Sequence, residues 1–172
     1  EILMEKDTQD SGTFKWGVST STSYFPKDNS EFFNDCDDSI LNWLEQYNNG
    51  ADHTETYLRG FLGRMLFSGE DVFKPVKVLS GGEKVRCMLS KMMMGGANVL
   101  VLDQPTNHLD LESITAVNKG LASFPGIVLF TSHDHEFIST VANRIIFIQE
   151  DGIKDITSGY DEYLAANNLI RE

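Results

Sequence analysis

The sequence predicts an α/β protein with a parallel sheet and an inserted helical subdomain. Two apolar runs, Asn98 to Asp103 and Gly126 to Thr131, have the composition and length of buried parallel strands, with a helical pattern between them. Upstream, residues 31–97 space their apolar positions as helices do. We therefore expect residues 1–30 and 98–172 to form the core and residues 31–97 to form the helical subdomain.

The composition narrows the possible classes of protein. The chain has 172 residues, enough for one sizeable core, and its two cysteines make no disulfide framework, which fits a reducing compartment. No apolar run approaches the roughly 20 residues that span a bilayer, and no secretion signal opens these residues. The net charge of −12 argues against a nucleic-acid surface in this segment, although not elsewhere in a larger protein.

The first thirty residues are expected to carry a pair of short strands. Glu1 to Met4 is expected to be the end of a helix whose start lies outside the chain. Thr13 to Gly17 and Val18 to Phe25 predict the two strands, the second rich in Ser and Thr, and Pro26 ends it.

Three amphipathic helices are predicted in the helical subdomain. The first follows the cap residue Ser39 and ends near Gly50, the second covers Thr54 to Phe67, and the third begins at Ser80 and ends at Gly95. We expect their apolar stripes to lie in the core. The stripe residues are Ile40, Leu41, Trp43, Leu44 and Tyr47, then Tyr57, Leu58, Phe61, Leu62, Met65 and Leu66, then Val85, Met88, Leu89, Met92 and Met93.

The C-terminal part alternates strands and helices. Asp110 is well placed to cap the helix that follows the Asn98 to Asp103 strand. Further elements are a helix from Glu136 to Ala142, a strand from Arg144 to Ile148, a turn at Asp151–Gly152, a short strand near Ile153 to Ile156, and a last helix after Gly159. This βαβ pattern predicts that the strands form one parallel layer.

Ser80, Gly81, Gly82 and Glu83 form a candidate anion-binding turn. Two glycines let backbone amides approach an anion, the helix start supplies unpaired N–H groups, and the Ser80 hydroxyl can donate to a phosphate oxygen. Alone, this pattern is more often an ordinary helix cap. Leu79 before it and an acid-terminated strand twenty residues later favour the functional interpretation.

Two polar residues follow buried strands. Asp103 ends its strand at the edge where α/β sheets bind ligands, and a carboxylate there suits Mg²⁺, usually through water. The alternative is an Asp that only caps a turn. His133 follows the next predicted strand, so its imidazole should reach the same edge of the sheet.

Leu79 to Glu83, Asp103 and Thr131 to Asp134, in this order, strongly resemble the nucleotide-binding domain of an ATP-binding-cassette (ABC) ATPase. The resemblance implies an incomplete P-loop NTPase core of the ABC type. It implies that Leu79, Ser80, Gly81, Gly82 and Glu83 are the signature, which contacts the γ-phosphate of ATP held by an opposing domain. It also implies that Asp103 is the Walker B aspartate for Mg²⁺ and that His133 contacts the γ-phosphate. ATP, Mg²⁺ and a second nucleotide-binding domain, in the same polypeptide or in a dimer, are thus the expected cofactors and partner.

Gln104 occupies the position of the general base, which is normally Glu in active family members. An amide can hold a water but cannot accept its proton at neutral pH. Three explanations for Gln104 compete. It is an introduced Glu→Gln change that traps ATP, or it marks a natural degenerate site, or it belongs to a site whose rate depends little on a base. We favour the first because the neighbouring motif residues are intact. The first two explanations predict that binding and closure survive while turnover falls.

Asn107 to Asp110 occupies the D-loop, which in the family runs along the partner domain. Asn107 followed by His108 resembles the ABC-F branch, whose members are twin-domain ATPases that act on the ribosome, and Gly159 to Tyr163 resembles the end of their second domain. The resemblance implies a cytoplasmic protein that meets the ribosome or tRNA through parts outside this chain, without membrane insertion. One rival is the ATPase subunit of a membrane transporter, and another is a nucleotide-gated clamp that never hydrolyses ATP.

Two features depart from the family pattern. The Gly-x-x-x-x-Gly-Lys-Ser/Thr phosphate loop, Walker A, is absent from all 172 residues, and we expect it just before Glu1, so that this chain is the C-terminal part of a domain. The Q-loop glutamine should lie close to Tyr24 and Phe25, where the alignment puts Lys27 instead. Lys27 either meets phosphate directly or is simply solvated.

Overall fold

The computed structural model describes residues 1–50, 52–107, 109–149, 152–157 and 159–166. The strands in these residues are β1 (Thr22–Phe25), β2 (Val99–Asp103), β3 (Ile127–Thr131), β4 (Ile145–Gln149) and β5 (Gly152–Ile156). The helices are α1 (Ile40–Glu45), α2 (Glu55–Arg64), α3 (Gly81–Met94), α4 (Leu111–Ala122), α5 (His135–Val141) and α6 (Tyr160–Ala166). Short 3₁₀ segments lie at Ile2–Met4, Ser30–Phe32, Gly69–Phe73 and Val76–Val78. The predicted α/β class is confirmed.

A three-stranded parallel sheet with the order β1-β2-β3 forms the centre of the structure. Phe25 pairs with Leu102, and Leu102 pairs with Phe130, so the carboxyl ends of the three strands meet at one edge. The central strand β2 is the most buried, with Leu100 and Leu102 inside the core. The helix α4 connects β2 to β3, as expected for a βαβ unit.

The strand β3 is less buried than the sequence suggested. Its residues alternate between half-buried and exposed, and Ile127 and Leu129 keep 60% and 38% of their surface in solvent. Val128 and Phe130 pack against the core from the other face. The prediction of a fully buried strand is therefore wrong, because only one face of β3 is covered by the described residues.

The predicted strand pair in the first thirty residues is also wrong. Thr13 to Gly17 has no strand structure, and only Thr22 to Phe25 of the second run becomes β1. Asn98 explains the difference, because its side-chain amide donates to the Ser19 carbonyl at 2.8 Å and its amide oxygen accepts from the Ser21 N–H at 2.9 Å. These bonds hold the incoming chain beside β2, so that β1 pairs with β2 rather than with its neighbour in sequence.

Residues 31–97 contain the three predicted helices. Ser39 and Thr54 cap α1 and α2 by accepting hydrogen bonds from Asn42 and Tyr57. Most stripe residues join one hydrophobic cluster, which also includes residues of the sheet. Tyr57 and Leu66 are exceptions, since they are exposed beyond the packed face of α2. Cys87 on α3 is fully buried, and burial raises the pKa of its thiol.

The strand β4 does not extend the parallel sheet, contrary to the prediction. It pairs with β5 as an antiparallel hairpin, with Ile148 opposite Ile153. Only two residues connect these strands, a length that permits hairpin pairing but no crossover. The final helix α6 packs Tyr163 against Phe147 of the hairpin. None of the helices described is long and apolar enough to cross a membrane.

Candidate functional site

Polar residues from three segments meet at the carboxyl edge of the parallel sheet. Asp103 is the last residue of β2, and Lys27 and His133 each lie two residues beyond the ends of β1 and β3. The strands are in parallel register, so the structure brings these predicted site residues to the same edge. Lys27 and His133 are both exposed there.

Asp103 is a half-buried carboxylate with one oxygen engaged. Its Oδ1 accepts a hydrogen bond of 2.9 Å from the Thr131 hydroxyl, and its Oδ2 has no hydrogen-bond partner within the described ranges. Burial raises the pKa of the Tyr24 phenol, and the negative charge of Asp103 raises it further. A single carboxylate with one open oxygen suits a divalent cation that takes its other ligands from phosphate and water.

The surroundings of Asp103 fit such a cation only in part. Across residues 1–50, 52–107, 109–149, 152–157 and 159–166, no three His, Cys, Asp or Glu side chains cluster as a metal site. A divalent cation at Asp103 would therefore gain one carboxylate from the described residues, and phosphate oxygens and water would complete its coordination.

Gln104 has a constrained backbone and an oriented side chain. Its φ of 49° lies in the left-handed region, which is costly for a residue with a Cβ. Its N–H donates to both the carbonyl and the hydroxyl of Thr131, at 3.1 and 3.2 Å. Its Oε1 accepts a hydrogen bond of 2.7 Å from Asn107 Nδ2. Asn107 thereby fixes where the carboxamide points.

Thr131 is a candidate positioning residue to which the sequence analysis gave no role. Its hydroxyl links the Asp103 carboxylate to the Gln104 backbone, so one side chain positions both neighbours. The register of β2 and β3 places Asp103 opposite Thr131. The only sequence signal for it is its position as the first residue of Thr-Ser-His-Asp after an apolar run.

His133 is held by its neighbours in the chain rather than by bonds to its ring. The Ser132 hydroxyl lies 3.3 Å from the Thr106 hydroxyl and accepts from the Asp134 N–H at 3.0 Å. Asp134 caps α5 through a 2.8 Å bond from the Phe137 N–H. The His133 ring makes no hydrogen bond within the residues that the structure describes, so it is free to donate to a ligand.

The start of α3 is a complete capping box. Ser80 Oγ accepts from the Glu83 N–H at 3.3 Å, and Glu83 Oε2 accepts from the Ser80 N–H at 2.8 Å. Burial works to raise the pKa of Glu83, but the hydrogen bonds from Ser80 and the nearby Lys74 ammonium together hold it below its usual range. Since Ser80 Oγ accepts in this cap, its own proton remains available for an anion.

Only part of the Leu79 to Glu83 run faces solvent. The Leu79 side chain is buried in the core, whereas Ser80 and Gly81 are exposed. A Cβ on Gly81 would meet no atom within 4 Å, so a ligand can approach this backbone. The geometry favours Ser80 and Gly81 as ligand contacts, with Leu79 and Glu83 supporting them.

The starts of α3 and α4 pack directly against each other. A Cβ on Gly82 would lie 3.3 Å from Ser113 Oγ and 3.6 Å from Leu109 Cδ2. Asp110 caps α4 as predicted, accepting from the Ser113 N–H at 2.8 Å. Hydrogen bonds from Ser113, with a smaller contribution from Arg86, lower the pKa of Asp110. The predicted signature and D-loop thus lie side by side. His108 of that loop lies outside the described residues.

Arg86 ties α3 to the end of α2. Its Nη1 donates to the Met65 carbonyl at 2.7 Å, and its guanidinium lies 4.8 Å from the centre of the Phe67 ring. We expect Arg86→Met to lower the free energy of unfolding by about 2 kcal/mol, because a charge-assisted bond and a stacking contact are both lost. Urea denaturation measures this. Lys119→Met, at an exposed position on α4, is the control, and an equal loss in both variants would contradict the assignment.

A parallel sheet with a carboxylate at its carboxyl edge is typical of α/β domains that bind ligands at that edge. Residues 2–107 match the sequence model of the ABC transporter family. The chain therefore belongs to the ABC transporter family and is part of its ATP-binding domain.

Curated relatives agree with this family, and a solved structure shares the fold. The chain is 66% identical over 164 residues to the uncharacterized ABC transporter ATP-binding protein YkpA of Bacillus subtilis, covering 95% of this chain and 30% of that protein. It is 35% identical over 171 residues to the energy-dependent translational throttle protein EttA of Escherichia coli K12, covering 94% of this chain and 30% of EttA. The fold matches a solved structure of RNase-L Inhibitor with a TM-score of 0.73 at 19% identity, covering 96% of this chain and 33% of that one. The chain thus spans about 30% of the length of these curated relatives.

Proposed function

We propose that this chain is the larger part of the second ATP-binding domain of a cytoplasmic ABC-F protein, which closes on a sibling domain over ATP and Mg²⁺ and acts on the ribosome in translation. The observation that carries the proposal is the contact between Gly82 and Leu109–Ser113, because it joins the signature and the D-loop into one surface. A surface of this kind fits a partner domain better than a free ligand. The name of EttA, a translational throttle, supports the ribosomal part.

The proposal gives each site residue a task. Asp103 offers its open oxygen to Mg²⁺, which neutralises phosphate charge when bound. Gln104, oriented by Asn107, holds a water by hydrogen bonds, and His133 donates to a phosphate oxygen. Lys27, exposed at the same edge, adds a positive charge.

In this proposal, the starts of α3 and α4 contact the sibling domain. Ser80 and Gly81 offer the Ser80 hydroxyl and backbone amides to the nucleotide of the sibling domain. Asn107 and Asp110 flank the loop that faces that domain. The division into a core of residues 1–30 and 98–172 and a helical subdomain of residues 31–97 stays a prediction.

Gln104 favours a second candidate function, a nucleotide-gated clamp that binds ATP without hydrolysing it. The amide reproduces the shape of a glutamate but accepts no proton. Both candidates predict ATP-dependent closure, and they differ only in turnover. The transporter alternative is disfavoured by Asn107–His108 in the D-loop. Purification of the whole protein at low salt tests this, since we expect ribosomes and not a membrane subunit to accompany it.

The isolated 172-residue chain should bind ATP only weakly. It contains no Gly-x-x-x-x-Gly-Lys-Ser/Thr loop, and the backbone cradle of that loop supplies most phosphate contacts in this fold. We expect a dissociation constant of about 1 mM or higher in equilibrium dialysis with labelled ATP. The binding free energy is then no more favourable than about −4 kcal/mol. Micromolar binding by the isolated chain would show that the remaining residues form a complete phosphate site.

A further inference from the structure

A cleft lies at the opposite edge of the sheet from Asp103. It is enclosed by the end of α2, the end of α3 and the connection from α4 to β3, and its volume is about 400 Å³. Ala97 precedes β2 and Phe124 precedes β3, so both residues lie at the amino ends of these parallel strands. The cleft is therefore separate from the proposed nucleotide site, and its volume is in the range of small-molecule sites.

The walls of the cleft combine adaptable apolar side chains with polar surface. Aromatic rings of Phe61 and Phe124 and the thioethers of Met65 and Met93 line it. A Cβ on Gly120 would lie only 2.4 Å from Met65 Cε. The Met65 side chain can therefore occupy its position only because residue 120 has no side chain. Methionine side chains change conformation easily, and they suit the binding of a flexible aliphatic body.

Arg64 is the single charged residue in the lining. Its guanidinium lies 4.7 Å from the centre of the Phe61 ring, and no carboxylate pairs with it within the described part of the chain. Arg59, five residues earlier on α2, differs because it pairs with Glu55 at 3.1 Å. Arg64 thus presents a positive charge without a carboxylate partner from an exposed position at the border of the cleft.

The charge of the lining limits which anion fits. One guanidinium cannot balance several phosphate charges, so a polyphosphate is a poor match for this cleft. A carboxylate matches the fork of a guanidinium, and an aliphatic chain matches the walls. We infer that this cleft binds an amphiphilic monocarboxylate, with its carboxylate at Arg64 and its aliphatic part among Phe61, Met65, Met93 and Phe124.

Octanoate is a suitable probe, and octan-1-ol is its neutral counterpart. Labelling the methionine methyl groups with ¹³C gives direct reporters, because Met65 and Met93 line the cleft, whereas Met4, in the first 3₁₀ segment, is not among its lining residues. We expect octanoate to shift the Met65 and Met93 signals saturably and to leave Met4 unchanged. Octan-1-ol should bind about fivefold more weakly, since it lacks the charge that pairs with Arg64.

Variants separate the charge contribution from the apolar one. Arg64→Gln should weaken octanoate binding about fivefold and make it equal to that of octan-1-ol, whereas Arg59→Gln, on the same helix, should change neither. Ala97→Leu should fill the cleft and abolish the shifts of both probes. The inference is overturned if octanoate leaves Met65 and Met93 unshifted, or if Arg64→Gln binds octanoate as tightly as the unchanged chain does. Equal weakening by Arg59→Gln would overturn it too, because the effect would then be one of overall charge.

Discussion

Changing Gln104 to Glu should raise the steady-state ATPase rate of the complete protein by about 10²- to 10⁴-fold, the usual range for a general base. The new carboxylate would take the place of the carboxamide, whose oxygen is already held 2.7 Å from Asn107 Nδ2. It could then accept the proton of an attacking water, which the amide cannot. Phosphate release from the complete protein, with its phosphate loop and sibling domain, measures the rate.

A matched control adds the same charge elsewhere. Gln149 is exposed at the end of β4, so Gln149→Glu should leave the rate unchanged. A Gln104→Glu protein that turns over no faster than its parent would rule out the account of a disabled base. The non-hydrolysing clamp would then be the better description, provided that ATP still drives closure.

The backbone at Gln104 shows why the site was only partly predictable. The apolar run before Asp103 predicted the strand, and the strand direction predicted which edge of the sheet receives the acid. The φ of 49° at Gln104 arises from contacts with Thr131, a residue 27 positions later. Such a conformation depends on the pairing of β2 and β3, which no local pattern contains. The bond from Asn107 was likewise invisible in the sequence.

The helices of residues 31–97 were predictable because their signals are local. The sequence predicts helix caps or starts at Ser39, Thr54 and Ser80. Each of these side chains accepts a hydrogen bond from the N–H of the third residue after it. Helix caps and 3.6-residue periodicity act over one or two turns, so the sequence contains all the information they need.

The strand predictions failed where contacts with residues distant in the sequence determine the pairing. Thr13 to Gly17 has a strand-like composition, but Asn98 holds Ser19 and Ser21 beside β2 and no hairpin forms. Arg144 to Ile148 also has the composition of a strand, yet its nearest available edge is β5 and not the parallel sheet. An apolar run shows that a strand is favoured, but it leaves both its partner and its exposed face undetermined.

Replacing Gly81 by Ala should weaken ATP-driven pairing with the sibling domain at least about tenfold, which corresponds to about 1.4 kcal/mol. Gly81 is exposed at the first turn of α3, and a Cβ there meets no atom of the chain within 4 Å. The added methyl group would therefore leave the fold intact and project into the space where an anion must approach the backbone amides. Energy transfer between dyes on the two domains, titrated with ATP, measures the pairing.

Gly81→Ala should weaken domain pairing without lowering the stability of the fold. Alanine is favoured over glycine inside a helix, so Gly81→Ala should be as stable as the parent or slightly more stable in urea. Gly63→Ala on α2 is the control, because it also has open space around its Cβ but lies on a different helix. Gly82→Ala should behave differently from both, since Ser113 must move to accommodate it. Unimpaired pairing in Gly81→Ala would show that this turn is only a helix cap, and the assignment of α3 to the interface between domains would then be wrong.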